Sequence, residues 1–159
     1  MMLFHWNSLA LPNGRKRAGA AVIELAFVSP LLALIIMGMI ELSRGLMVKV
    51  ILSDAARAGC RAGIKRDKAN ADIIKLCTDV MAYNGFDSTE FNPNTIGSVN
   101  ITVTDGSGNT VNSGETLDAP AGTFVSVQVS IPVSSTTWVP SIFLSQASLE
   151  SETVVMMKQ

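Results

Sequence analysis

An apolar run near the start of the chain limits the possible folds more strongly than any other feature. Residues Ala18 to Ile40 are interrupted only by Glu24 and the small polar Ser29. At about 1.5 Å per residue, a helix of this length covers about 35 Å, and the hydrocarbon core of a bilayer is about 30 Å thick. The apolar part of a secretory signal is shorter, about 7–15 residues. The run therefore predicts a membrane-spanning helix.

Three basic residues, Arg15, Lys16 and Arg17, lie directly before this run. Positive charge accumulates on the cytoplasmic side of membrane helices, so this cluster acts as a topology signal. We expect the N-terminus in the cytoplasm and the chain from Glu41 onward on the exported side.

Composition argues against several classes of function. The formal net charge of the 159 residues is -1, so nothing indicates a nucleic-acid partner. The one histidine, His5, is near the N-terminus, and the exported part has neither a histidine nor a C-x-x-C motif to activate a cysteine nucleophile. We expect no enzyme activity, no catalytic residue, no metal site and no cofactor.

Helical patterns continue beyond the apolar run. Leu42, Leu46 and Val50 recur at i, i+4 and i+8 and form one apolar stripe. The small residues from Ala55 to Gly63 either permit close helix approach or simply favour a helix. After a predicted turn at 67–71, a second short amphipathic helix is predicted, with Asn84-Gly85 as its stop signal. Its apolar face comprises Ile73, Leu76, Cys77, Val80 and Met81.

The pattern changes to strand-like alternation from about Ser98. Apolar residues alternate with polar ones at 99–103 and again at 124–131. The 105–109 segment predicts a hairpin turn, with Thr110-Val111 as the start of the return strand, and the 147–157 tail has strand composition at its end. Strands with one polar face suit a sheet that covers the helix and leaves its other side in water.

The predicted fold class is α+β: a long N-terminal helix, a second short helix and a small antiparallel β-sheet. We expect four parts: a basic cytoplasmic leader (1–19), a transmembrane helix (20–40), an exported helical region (41–97) and a small β region packed on the helix (98–159).

Cys60 and Cys77 are both on the exported side and are equidistant from the predicted turn between the helices. Residues equidistant from the turn of an antiparallel helix hairpin lie opposite each other, so a disulfide is one prediction. It would be worth about 3 kcal/mol in the chain-entropy model. Two buried free thiols are the alternative, since cysteine is among the most buried residue types.

Glu24 is an expensive residue inside the entry to a membrane helix. At the helix centre a charge costs about 2.5–3.5 kcal/mol to insert, and less near the interface. A cut between Gly19 and Ala20 would make Glu24 the fifth residue of a mature protein, and the small side chains at this bond leave the backbone accessible. The new α-amino group of Ala20 in a neighbouring, slightly staggered subunit could then pair with Glu24. The alternative is a carboxylate that reaches water at the interface.

This arrangement resembles the precursors of type IV pilins: a basic leader, a glycine at the cut, a glutamate at mature position five and an apolar helix. The stretches ELAFVSPLL (24–32), GMIELSR (38–44) and AAR (55–57) are similar to the TadE-like family, the pseudopilins of tight-adherence (Tad, or Flp) pilus systems. The similarity is dense from Arg15 to about Arg61. The closing SETVVMMK (151–158) resembles the short strand that often ends such proteins.

The resemblance implies a pilin-like protein from which an aspartic prepilin peptidase removes residues 1–19. It would be located in the bacterial inner membrane or enter a surface fibre, and would act in fibre assembly and adhesion. The implied partners are membrane lipid, other pilus or pseudopilus subunits, the prepilin peptidase and the inner-membrane assembly platform. The alternative is an uncleaved single-pass protein, retaining Met1 or Met2, that presents a small extracytoplasmic binding or scaffold domain.

Overall fold

The computed structural model describes residues 14–86, 91–93, 96–133 and 147–159. Most of the predicted leader, residues 1–13, lies outside this part of the chain. Side chains are described from Gly19 onward, apart from Ser113. The chain divides into two compact units with a boundary between Met39 and Ile40.

The first unit contains the N-terminal part of helix α1, which extends from Gly14 to Gly63 and has Pro30 in its interior. From Gly19 to Met37 every side chain of this helix is exposed. The segment Gly19–Gly63 contains an 18-residue window of mean hydropathy 2.4, none of it buried. It is long and apolar enough to cross a membrane.

Among the residues that the structure describes, the second unit contains the rest of α1, a second helix, the strands of one sheet and a short 3-10 turn. These elements are α2 (Asn70–Tyr83), β1 (Ser98–Thr104), the 3-10 turn (Asn112–Gly114), β2 (Phe124–Pro132), β3 (Ser148–Glu150) and β4 (Val154–Met157). The predicted α+β class, with a long helix, a short helix and a small antiparallel sheet, is confirmed.

Helix α2 has identifiable signals at both ends. At its start the carboxylate of Asp72 accepts a hydrogen bond from the backbone N–H of Ala69 at 3.3 Å. At its end Gly85 adopts φ +94, a left-handed conformation that glycine reaches without steric cost. The predicted stop at Asn84-Gly85 is therefore confirmed. Ile73, Cys77 and Met81 are fully buried on one face.

β2 is the central strand of the sheet. It pairs antiparallel with β1 on one side, and with both β3 and β4 on the other. Its residues alternate between buried and half-buried, as the sequence pattern predicts, because successive side chains point to opposite faces. The buried set, Val125, Val127, Val129 and Ile131, faces the helices and forms the centre of the core.

Small residues let α1 approach the rest of the core closely. A β-carbon added at Gly59 would come within 2.6 Å of the Cys77 sulfur, and one added at Gly63 within 2.9 Å of a Val125 methyl group. Both distances are shorter than a normal carbon contact, so no larger residue fits without movement. Close helix approach is therefore one role of the small residues between Ala55 and Gly63.

The β3–β4 edge is interrupted at Ser151. The hydroxyl of this buried residue accepts a hydrogen bond from the backbone N–H of Val129 at 2.9 Å. The backbone N–H of Ser151 donates a hydrogen bond to the Val129 carbonyl at 2.8 Å. A side chain thus replaces one backbone acceptor of the ladder, and the edge consists of two short strands instead of one.

The turn after β1 agrees with the prediction, but the predicted return strand is cut short. One Asp105 carboxylate oxygen accepts the N–H groups of Asn109 and Ser107, and these bonds hold the pKa of Asp105 below its ordinary value. Thr110 then forms only an isolated bridge with Thr104. The Val111 N–H also donates to the Val103 carbonyl at 2.9 Å, so the chain does return antiparallel to β1 at 110–111. This return does not extend into a full strand, because Asn112 adopts φ +51, which ends the extended backbone and starts the 3-10 turn. The strand that pairs with β1 along its length is β2.

Candidate functional site

The predicted cleavage and assembly residues all lie in α1. Gly19, Ala20 and Glu24 are exposed, and a β-carbon added at Gly19 would meet no atom within 4 Å. The basic cluster 15–17 is also helical. The predicted topology signal, the predicted cut and Glu24 therefore follow one another along one helix.

Ala20 and Glu24 are separated by one helical turn. Residues at i and i+4 lie on the same face of a helix, and four residues correspond to about 6 Å along its axis. Gly19 and Glu24, at i and i+5, lie on different sides. The helix therefore places Ala20, the predicted new amino terminus, and the Glu24 carboxylate on one face, at a fixed axial offset.

Cys60 and Cys77 are brought into the same core from different helices, and both are free, fully buried thiols in the structure. The Cys60 thiol donates to the Val125 carbonyl at 3.1 Å, and the Cys77 thiol donates to the Ala55 carbonyl at 3.4 Å. Burial raises the pKa of each thiol from 9.0 to about 11. The structure thus corresponds to the second sequence alternative, two buried thiols, because each sulfur is directed at a different carbonyl.

A buried polar cluster around Thr116 was not predicted from the sequence. The Thr116 hydroxyl lies 2.8 Å from the Lys68 carbonyl and 2.9 Å from the Asn70 side-chain oxygen, which also accepts the Thr116 N–H at 3.1 Å. The ammonium of Lys158, only 1% exposed, donates to the Thr116 carbonyl. This cluster joins the turn between the helices, the loop before β2 and the end of β4.

The cluster has the properties of a structural contact. The described buried side-chain nitrogen and oxygen atoms all have hydrogen-bond partners, so no buried polar side-chain atom of the cluster needs a ligand as its partner. Among the described residues no group of three or more His, Cys, Asp or Glu side chains could hold a metal ion. The one sequence signal for the cluster is the lysine that directly follows the apolar strand VVMM.

Comparison with known proteins gives one result for the N-terminal part of the chain. Residues 19–61 match the family model described as TadE-like protein. No curated protein and no solved structure matches the chain. The matched residues cover the exposed apolar helix and the part of α1 that carries the small residues, and they exclude α2 and the sheet. The resemblance to the TadE-like family that the sequence predicts is therefore confirmed for residues 19–61. Such segments are typical of membrane proteins of Tad pilus assembly, and the TadE-like family is not a known enzyme family. Residues 19–61 of this chain are a TadE-like segment.

Proposed function

We infer that this protein is a pseudopilin-like component of a tight-adherence pilus or a related assembly system, processed by a prepilin peptidase and active in fibre assembly and surface adhesion. One observation carries the proposal. The TadE-like match begins at Gly19, the residue before the proposed cut, and continues along an apolar helix whose side chains are exposed.

The exposed apolar side chains support a position in the inner membrane. Val22, Phe27 and Leu31 are 65%, 78% and 61% exposed, and such a surface is stable only when lipid or other apolar helices cover it. Residues 20–40 are the proposed span. The basic cluster 15–17 supports a cytoplasmic N-terminus, which leaves residues 41–159 on the exported side to contact other pilus components.

The helix geometry supports a role for Glu24 in register. In a mature chain, the positive amino terminus at Ala20 and the negative Glu24 are about 6 Å apart along the axis. A parallel neighbour displaced by this distance brings its amino terminus level with Glu24. Pairing then offsets the cost of a carboxylate in the membrane, so Glu24 favours this stagger over others.

The mature N-terminus tests the proposed processing. Mass spectrometry of membrane fractions from strains with and without the prepilin peptidase should find Ala20 as the first residue only when the peptidase is present. A protein that retains Met1 or Met2 in both strains would contradict the proposal, and would leave an uncleaved membrane anchor with an exported domain.

A substitution at Glu24 tests the assembly step separately. Glu24→Gln removes the charge and keeps the shape, so the protein should still be cut and inserted while its recovery with other pilus subunits falls. Glu152→Gln, at an exposed residue of the exported unit, is the matched control. If Glu24→Gln leaves assembly unaffected, the Glu24 carboxylate has no role in assembly and only reaches water at the membrane interface.

A further inference from the structure

In the exported unit, α1 has apolar residues on two opposite sides. The side toward the sheet carries Val48 and Leu52, which are 5% and 0% exposed. The opposite side carries a group that we call the outer stripe: Leu42, Leu46, Met47 and Val50, which are 59%, 58%, 66% and 61% exposed. At 100° per residue, Leu46 and Val50 point almost directly away from Val48 and Leu52. The part of the chain that the structure describes leaves the outer stripe uncovered.

We propose that the outer stripe binds the same stripe of a second copy of this chain, in a parallel and in-register helix pair. Parallel orientation rests on the membrane insertion proposed above, since two copies with the same topology present their helices in the same direction. Residues 20–40 already cover the hydrocarbon thickness. Val50 is about 15 Å beyond Ile40 along the helix, where water and not lipid would otherwise contact it.

The spacing of the stripe fits a parallel helix pair. When Leu46 and Val50 occupy the core positions d and a of a heptad repeat, Ser43 and Ser53 are the adjacent core positions. Residues at g of one helix then lie opposite e of the partner, five positions later in the sequence. Leu42 is thereby opposite the partner's Met47, so an apolar residue meets an apolar residue.

Charge complementarity supports a second copy as the occupant. By the same five-residue relation, Lys49 of one helix lies opposite Asp54 of the other, and the two-fold symmetry forms this pair twice. Both residues are exposed in the structure. Within one helix, residues five apart do not face each other, so the pairing is satisfied only between chains. Oppositely charged flanks are the usual determinants of partner and orientation in helix pairs.

This contact differs from the one proposed for Glu24. Pairing of Glu24 with the amino terminus of a neighbour requires a displacement of about 6 Å, whereas the Lys49–Asp54 pairs require none. A helix has room for more than one neighbour, so the two contacts involve different neighbours or different stages of assembly. The in-register pair also needs no cleavage, because the outer stripe is more than 20 residues from Gly19.

Cysteine crosslinking in native membranes tests the pair on the full-length chain. Leu46→Cys and Val50→Cys should each give a homodimer with a short bis-maleimide, while Lys75→Cys, exposed on α2, should not. The native cysteines are buried, and the unsubstituted chain controls for them. Equal crosslinking at Lys75 would indicate random collision, and no homodimer at either stripe position would indicate another occupant. Either result would overturn the proposal.

Charge exchange tests the register. In the Val50→Cys chain, Lys49→Asp or Asp54→Lys alone should reduce the crosslinked fraction about threefold, the size expected for exposed ion pairs. The double exchange should restore the crosslinked fraction. If the double variant crosslinks as poorly as the single variants, the Lys49–Asp54 pairing is overturned.

The same crosslinking is then repeated in a strain without the prepilin peptidase. A homodimer of uncut chains supports the pair while contradicting the proposed processing, and a chain cut at Ala20 that gives no homodimer contradicts the pair alone.

Discussion

The ammonium group of Lys158 donates a hydrogen bond to the main-chain carbonyl of Thr116, and both residues are almost completely inaccessible to solvent. This bond connects the end of the last strand to the loop before β2. Because Thr116 also contacts Lys68 and Asn70, the turn between the two helices is attached to the same point. Residues 42 to 48 positions apart in the sequence thus meet in one small cluster.

Replacing Lys158 with methionine should destabilise the second unit, residues 40–159. Lys158→Met keeps an unbranched side chain but leaves the buried Thr116 carbonyl without this donor, a loss of about 1–3 kcal/mol. Urea unfolding of the full-length protein in detergent measures the effect, with Lys75→Met at an exposed site of α2 as the control. A variant as stable as the parent would show that the cost of burying the ammonium cancels its hydrogen bond.

Removing the hydroxyl of Thr116 should have a similar effect. Thr116→Val preserves the shape of the side chain but deletes the hydroxyl that lies within hydrogen-bond distance of the Lys68 carbonyl and the Asn70 side-chain oxygen. We expect a loss of about 1 kcal/mol in the free energy of unfolding. Thr153→Val, the same change at an exposed residue, should alter it by less than about 0.5 kcal/mol. Equal effects at the two positions would contradict the assignment of a structural cluster.

An alanine at Gly59 should be poorly tolerated. Its β-carbon would lie 2.6 Å from the Cys77 sulfur and 3.2 Å from an Ile73 methyl group, so α1 and α2 must separate. Overpacking of this kind costs about 1–3 kcal/mol. Gly106→Ala, in open space at the β1 turn, is the control. Adding Cys77→Ala to Gly59→Ala should recover part of the lost free energy of unfolding. If the loss in the double variant equals or exceeds the sum of the losses in the two single variants, the proposed contact is contradicted.

The buried cysteines should make stability fall at high pH. Their folded pKa of about 11 is above the ordinary value of 9.0, so the folded state binds the thiol protons more tightly than the unfolded chain does. This contribution is fully present below pH 9 and is lost as the pH rises through 11. Urea midpoints between pH 8 and pH 11 should fall more steeply in the parent than in the Cys60→Ala/Cys77→Ala variant. Equal slopes would contradict the burial of the thiols.

Thiol labelling distinguishes the free thiols from a disulfide. Without denaturant, a maleimide should modify neither cysteine at pH 7, since the thiolate is the reactive form and both sulfurs are buried. In urea both should react. If the cysteines of the protein isolated from its native membrane react in urea only after reduction, the protein contains the Cys60–Cys77 bridge instead.

The repeating elements of this fold could be predicted because each carries its own periodic signal. β1 and β2 follow from alternation, and the end of α2 follows from Asn84-Gly85. The positions of Gly19, Ala20 and Glu24 also follow from spacing alone, and the structure adds that all three are exposed in one helix. These features depend on neighbours within a few residues.

Features that depend on distant partners could not be predicted. A lysine after a strand is normally exposed, and only the position of the Thr116 carbonyl explains why Lys158 is buried. The stripe of Leu42, Leu46 and Val50 was visible in the sequence, but Val48 and Leu52 form an equally apolar side of the same helix. Periodicity cannot decide which of two apolar sides packs against the sheet. In the C-terminal part of α1 the side that packs is the one that carries Gly59 and Gly63, which lie against Cys77 and Val125.

The interruption of the sheet edge at Ser151 should reduce aggregation when many copies of the protein lie close together. A continuous strand from 148 to 157 would offer about ten residues of free backbone edge, a template on which the same strand of another molecule could add. Division into β3 and β4 limits each straight run to three or four residues. Many copies held in one membrane before assembly, as proposed above, would in this way be protected against uncontrolled edge-to-edge aggregation. One serine hydroxyl keeps the ladder bonded where the strand is interrupted.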